Sequence, residues 1–476
     1  MPIADVALLI GVALLKDLAV PSDASLHSTL LREWAPRVVA ADARAATAAT
    51  EAFWQSIAAQ GTPLVERIPD DPRYVHVTFL YRGDADTRSV AAITLENHQL
   101  ANDRFFALGK LSRLGSSDIW FRTYRLRSDA RFTYRLSVND DRLFADLTPE
   151  QWSARVAALT PDPLNRHPTT TRDGAVSLVE LPDAPPLQWF MPKPGVREGH
   201  LDTTQIGDRA HGRDRSIGIY TPPGYTRASG AHNLLIVLDG EGVPASVPVP
   251  TILDNLHDAK RLAPTIAVFV HNRPGKRVAD LWYSDELRDF IRDDLLPWMR
   301  ARYAIPGDPR RVVVAGRSAS GNAAVYLAFA LPSLIGNAIS QSGGYALGDP
   351  HAPRPSAHET GEGLTEDDFP QQEWLTRQIA TSPKRPIRIH LEVGTLEHVD
   401  WEMTFPRYAT PSVLLANRHL RDVLDAKGYA FTYHEYNGPH DPLVWRGTFG
   451  DDLVALIGRD TVVERQGPLV RYNLHP

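Results

Sequence analysis

The chain has 476 residues, 43% hydrophobic and 23% charged, with a formal net charge of −6 and no cysteine. That length predicts two or three domains, each able to bury a core. The acidic balance excludes a dedicated nucleic-acid binder, and the missing cysteines exclude disulfides, thiolate catalysis and cysteine-bound metal.

The N-terminal stretch "MPIADVALLIGVALLKDLAVPSDAS" is apolar. Asp5 stands where a secretory signal would carry positive charge, and Lys16 and Asp17 interrupt the run short of a membrane span. Residues 1–50 are therefore read as a helical extension packed on the body, with no membrane association. Cytoplasmic placement follows, the periplasm being the alternative. The Ala- and Leu-rich stretch 26–60 reads as helix broken near Pro36.

From residue 73 the texture changes. The runs "RYVHVTFLYRG", "RSVAAITLE", "SSDIWFRTYRL" and "ARFTYRLSVN" alternate, carry aromatic and β-branched residues, and are separated by Gly, Asp and Asn turns. They predict an all-β, immunoglobulin-like sandwich over 51–181. The proline-rich 182–196 reads as a linker.

Over 197–476 continuous apolar strands such as "NLLIVLDG", "TIAVFVHN", "RVVVAG" and "RIHLEVG" alternate with helices such as "SDELRDFIRDDLLPWMRARY". This pattern predicts an α/β-hydrolase domain, a mostly parallel sheet with helices on both faces. The Pro- and acid-rich segment from Asp349 reads as an excursion near the top of that sheet.

"RVVVAGRSASGNAAV" joins a buried strand to a helix through Gly316, Ser318 and Ser320. A hydroxyl becomes a nucleophile when a strained turn lifts it above the sheet and a base takes its proton. Small residues must flank it by two positions on each side. Gly316 and Ser320 satisfy this for Ser318, whereas Asn322 is too large to flank Ser320. Ser318 is the candidate nucleophile, and Ser320 reads as a turn or cap residue.

In α/β-hydrolases the acid and then the base follow the serine, each after a later strand. "RIHLEVG" is followed by Glu397, with Asp400 as runner-up acid, and "FTYHEYNG" by His440. The strand "LLIVLDG" ends at Asp239 and Gly240. Backbone amides of Gly240, Glu241 and Gly242, with that of Ala319, are the expected oxyanion hole. The remaining histidines show no metal-ligand spacing, and no metal or cofactor is assigned.

The segments "VLDGEGVPASVPVPTIL", "VVVAGRSASG", "ISQSGGY", "EVGTLE" and "GPHDPLVWRG" resemble the enterochelin (enterobactin) esterase family. So do "FWQSIAAQGTPLVE", "LSRLGSSDIWFRTYRL" and "DPLNRHP" in the first half. The resemblance runs from about Phe53 to the end. It implies a sandwich followed by a hydrolase, with Ser318 as nucleophile, His440 as base and Glu397 as acid. The implied substrate is an anionic catecholate siderophore trilactone, commonly iron-loaded, whose ester bonds are cut so that iron is released. Ser320, where the family has Gly, and Gly242-Val243, where it has aromatic bulk, depart from the pattern.

A bulky aromatic anion calls for arginines and aromatic rings. Arg273, Arg277, Arg317 and Arg446 lie beside the strand-end motifs, with Trp445 next to Arg446, and are expected to form a cationic mouth. "VADLWYSDEL" beside Arg277 matches an Arg-x-x-acid-Leu run of the family. The rival readings are an esterase for feruloyl or acetyl groups on carbohydrate, and a non-catalytic binding protein on the same fold.

Overall fold

A computed structural model describes residues 27–40, 42–94, 110–140, 154, 157–171, 174–209, 211–230, 232–242, 247–305, 307–351, 372–397 and 412–459. The readings made for residues 1–26, for Asp400 and for most of the segment after Asp349 lie outside these residues.

Two helices open the described chain, α1 (Thr29–Val38) and α2 (Ala43–Gln60). Ser28 Oγ accepts from the Leu31 amide and Asp42 from the Ala45 amide, so each helix starts on a side-chain cap. Helix α1 runs through Pro36 and stops at Val38, so the break comes two residues later than expected. Helix α2 continues through position 51, where the sandwich was expected to begin. Leu31, Phe53, Trp54 and Ile57 from these helices cluster with Leu64, Leu80, Ile119 and Phe121, covering one side of the sandwich. Among the described residues no helix is long and apolar enough to cross a membrane.

The sandwich consists of two four-stranded antiparallel sheets. One has the order β1 (Leu64–Arg67), β2 (Tyr74–Arg82), β5 (Ile119–Arg127), β4 (Ser112–Arg113). The other has the order β3 (Val90–Thr94), β6 (Arg131–Val138), β8 (Gly174–Glu180), β7 (Pro168–Thr171). Alternate residues of β2 and β6, among them Val75, Val77, Phe79, Phe132 and Tyr134, fill the space between the sheets. The intervening residues of β6 are buried as well, including the polar Thr133. A strand covered on both faces has a second partner, and for β6 it is the hydrolase.

That domain is built on one eight-stranded sheet, β16-β15-β14-β13-β11-β12-β10-β9. Its strands are β9 (His200–Asp208), β10 (Arg213–Thr221), β11 (Asn233–Leu238), β12 (Thr265–Val270), β13 (Val312–Arg317), β14 (Asn337–Gln341), β15 (Arg388–Gly394) and β16 (Ala430–Tyr436). From β12 to β16 all pairs are parallel; β10 is antiparallel to both of its neighbours, β12 and the edge strand β9. Helices α3 (Val249–Asp258) and α6 (Pro442–Ile457) pack on one face, while α4 (Ala319–Ala330) and α5 (Val413–Ala426) pack on the other. The proline-rich segment is docked onto this domain. Trp189 donates to Asp451 at 2.8 Å, and Asn255 donates to the Trp189 and Met191 carbonyls at 2.6 and 2.8 Å.

Candidate active site

Three adjacent strands end in a residue held at positive φ: Asp239 after β11 (φ 57°), Ser318 after β13 (φ 54°) and Ser342 after β14 (φ 51°). None is glycine, so each turn carries backbone strain that the surrounding structure must sustain, and such strain gathers at functional sites. At Ser318 the supports are visible. A Cβ on Gly316 would stand 2.1 Å from the Ser320 carbonyl oxygen, and one on Gly321 would stand 2.8 Å from Ser340 Oγ. Strand and helix can approach this closely only because both positions are glycine.

Ser320 Oγ accepts from the Arg317 amide at 2.9 Å and donates to the Arg317 carbonyl at 2.8 Å. It is fully buried. Its hydroxyl therefore closes the turn, while Ser318 caps α4 without a side-chain bond of its own and stays partly accessible.

Glu397 and His440 stand at the ends of the neighbouring strands β15 and β16. His440 Nδ1 lies 2.6 Å from Glu397 Oε2. The other carboxylate oxygen, Oε1, accepts from the Gly394 amide at 2.7 Å, Ser342 Oγ at 2.6 Å and Tyr436 OH at 3.0 Å. Burial alone would raise this carboxyl, yet the His440 ring and these donors hold it below the ordinary glutamate value. Trp445 is buried, meets the His440 ring edge-on at 4.7 Å and donates to Ser342 Oγ at 3.0 Å. Expected in the substrate-binding mouth beside Arg446, its buried ring packs against the imidazole.

The Asp239 turn continues into a short 3-10 helix, Gly240–Gly242. A Cβ on Gly240 would meet the Phe269 carbonyl carbon at 2.6 Å, so the turn presses against β12. Burial would raise the Asp239 carboxyl, but Arg277, donating at 2.8 and 2.7 Å, keeps it below its usual range.

Two sequence profiles match the chain: "Putative esterase" over residues 209–456, more than half of it, and "Enterochelin esterase, N-terminal" over 76–190. The chain belongs to the enterochelin esterase family. It is a carboxylic ester hydrolase. The iron(III) enterobactin esterase of Dickeya dadantii (strain 3937) is 26% identical over 87% of this chain and 94% of its own. The iron(III) salmochelin esterase of Escherichia coli O6:H1 is 26% identical over 85% and 93%. The crystal structure of the ferric enterobactin esterase from Salmonella typhimurium, 24% identical, covers 85% of this chain and 98% of its own with a TM-score of 0.64. That likeness gives the shared fold of sandwich and hydrolase.

In this enterochelin esterase relative the expected arginine mouth is not an array of unpartnered cations. Arg273 is bound by the buried Asp280 at 2.6 Å and by Glu286 at 3.2 Å. Arg277 is engaged by Asp239, Arg317 is buried, and Arg446 lies over the Phe190 ring at 4.7 Å. Asp239 lies 38 residues before Arg277, beyond the reach of charge reading, whereas Asp280 follows Arg273 by only seven residues and Glu286 by 13.

Sequence reading also missed what lies behind the histidine. Asp441 is buried, caps α6 through the Leu443 amide at 2.8 Å, and accepts from the Thr133 amide at 2.7 Å and Thr133 Oγ1 at 2.8 Å. Strand β6 of the sandwich thus grips the residue next to His440. The Arg131 amide also donates to the Asn437 carbonyl at 3.3 Å. In Asp441→Asn one carboxylate oxygen becomes an NH2 group, so a buried N–H loses its acceptor. We expect a stability loss of about 1–3 kcal/mol by urea unfolding. The kcat for a small nitrophenyl ester should fall more than its KM changes, because the imidazole is displaced while binding is not. An unchanged kcat with reduced stability would show that this contact has no part in placing His440.

Proposed function

We propose that this chain hydrolyses the ester bonds of a catecholate siderophore trilactone such as enterobactin, iron-loaded or free. Ser318 Oγ attacks the carbonyl carbon while His440 Nε2 takes its proton, and Glu397 fixes the tautomer and stabilises the imidazolium. Backbone amides of Gly240–Gly242 and Ala319 receive the oxyanion. The C–O bond breaks, His440 returns the proton to the departing alcohol, and water cleaves the acyl-enzyme by the same relay. Any iron belongs to the substrate.

The observation that carries the chemistry is the His440–Glu397 pair at 2.6 Å, standing on the same sheet rim as the strained Ser318 turn. The substrate class rests on relatives named for enterobactin and salmochelin that match nearly end to end.

Rates on ferric enterobactin, its linear trimer and a feruloyl ester test the reading. The catecholate lactones should exceed the feruloyl ester in kcat/KM by about 100-fold or more. The reverse order would assign the carbohydrate-ester reading instead.

A further inference from the structure

The face of β15 and β16 beneath α6 carries a cluster that ester cleavage does not use. His390 and Glu392 alternate on β15, and Asp452 meets them from α6. They are 6%, 0% and 3% exposed. Each offers one donor atom such that the three atoms lie within 4.8 Å of one another.

Hydrogen bonds occupy the outer atom of each group. Thr448 Oγ1 and Gln341 Nε2 both donate to Glu392 Oε1 at 2.7 Å, and Gln341 Nε2 also donates to Asp452 Oδ2 at 2.8 Å. His390 Nδ1 sits 2.7 Å from Thr432 Oγ1. The remaining atoms are left over. Glu392 Oε2 is buried without a hydrogen-bond partner, as is His390 Nε2, although Asp452 Oδ1 is 2.9 Å from that nitrogen. His434 faces Glu392 across the ladder on the edge strand β16, with Nδ1 3.8 Å from Glu392 Oε2. Its ring is 56% exposed, which gives the cluster an approach from solvent.

Two buried carboxylates side by side are costly unless positive charge compensates them. Here their outer oxygens are fixed by donors and their inner oxygens converge with an imidazole nitrogen whose own far side is anchored. Ligands of a metal ion are held in this manner by the groups behind them. We propose that the cluster binds one divalent cation of the Zn2+ class through His390 Nε2, Glu392 Oε2 and Asp452 Oδ1, with His434 Nδ1 as fourth donor. Two imidazoles and two carboxylates suit four-coordinate Zn2+ better than Ca2+ or Mg2+, which take oxygen shells.

The role follows from position. Strand β15 leads into the turn that presents Glu397, and α6 begins two residues after His440. A cation here ties the strand bearing the acid to the helix that follows the base, as a structural clamp. The sequence reading passed over it because the ligands are split between a His-x-Glu pair on a strand and an aspartate sixty residues on.

Chelator-treated full-length protein, titrated with Co2+ and then Zn2+, tests this. One Co2+ per chain should produce the visible ligand-field bands of a four-coordinate site, Zn2+ should displace them, and Zn2+ should raise Tm. Asp452→Asn and His434→Gln should each weaken Zn2+ binding by about tenfold or more. If Asp452→Asn fails to fold, His434→Gln, at an exposed edge, decides alone. The proposal is overturned if the wild type gives neither a saturable Co2+ band nor a Tm shift, or if binding survives in the folded variants unchanged.

Discussion

Ser318→Ala is expected to lower kcat by about six orders of magnitude, leaving a folded enzyme of near wild-type stability. The alanine keeps the tight passage between β13 and α4, because the groups that define it are Gly316, Gly321 and Ser320. It removes the one hydroxyl at this junction that is not already committed to the backbone. Ser320→Ala should behave in the opposite way. It loses the two bonds to Arg317, which costs about 1 kcal/mol in stability, while ester hydrolysis stays within about tenfold of wild type. Steady-state rates on a nitrophenyl ester, with urea midpoints for both variants, separate the two serines. If Ser320→Ala lost the activity and Ser318→Ala kept it, the assignment of the nucleophile would be wrong. The Ser320 hydroxyl folds back onto its own turn, so a serine at this position leaves the passage intact.

Much of this site was legible because an α/β sheet places chemistry at strand ends. Apolar strands followed by small or polar turns marked Ser318, Glu397 and His440 in the order that the sheet then brings to one rim. The strands filled with buried β-branched residues were legible for the same reason. β9 was not: most of its residues are exposed and its sequence "HLDTTQIGD" offers no apolar alternation. The short strands β1, β4 and β7 likewise exist because neighbours supply hydrogen bonds, and their own residues do not predict them. Pairings across the fold were the other blind area. That Arg277 belongs to Asp239, and Asp441 to Thr133 some three hundred residues away, follows from topology, which composition and spacing do not encode. The arginine mouth was read from the position of cations along the sheet, without the acids that the same loops bring to Arg273 and Arg277.

Glu397→Gln should lower kcat by about four orders of magnitude, with little change in KM. The direction comes from the donors around the carboxylate. Oε1 receives the Gly394 amide, Ser342 Oγ and Tyr436 OH, so the single carbonyl oxygen of a glutamine will stay on that side. Its NH2 group then faces His440 Nδ1, where the carboxylate oxygen stood at 2.6 Å. An N–H directed at Nδ1 demands a lone pair there, which moves the ring proton to Nε2. Imidazole in that tautomer cannot accept a proton from Ser318, and the imidazolium of the transition state loses its counter-charge. Stability should respond to acid with a defined sign as well. The Glu397 carboxyl is held below its ordinary value in the folded protein, so the ionised contact contributes fully above the unfolded value near 4.5 and is lost as the pH falls through the lower folded value. Glutamine has no such titration. The wild type should therefore lose its stability advantage over Glu397→Gln as the pH drops below about 4.5, measured as urea midpoints across that range. A variant with undiminished kcat, or a stability gap that widens in acid, would remove Glu397 from the relay.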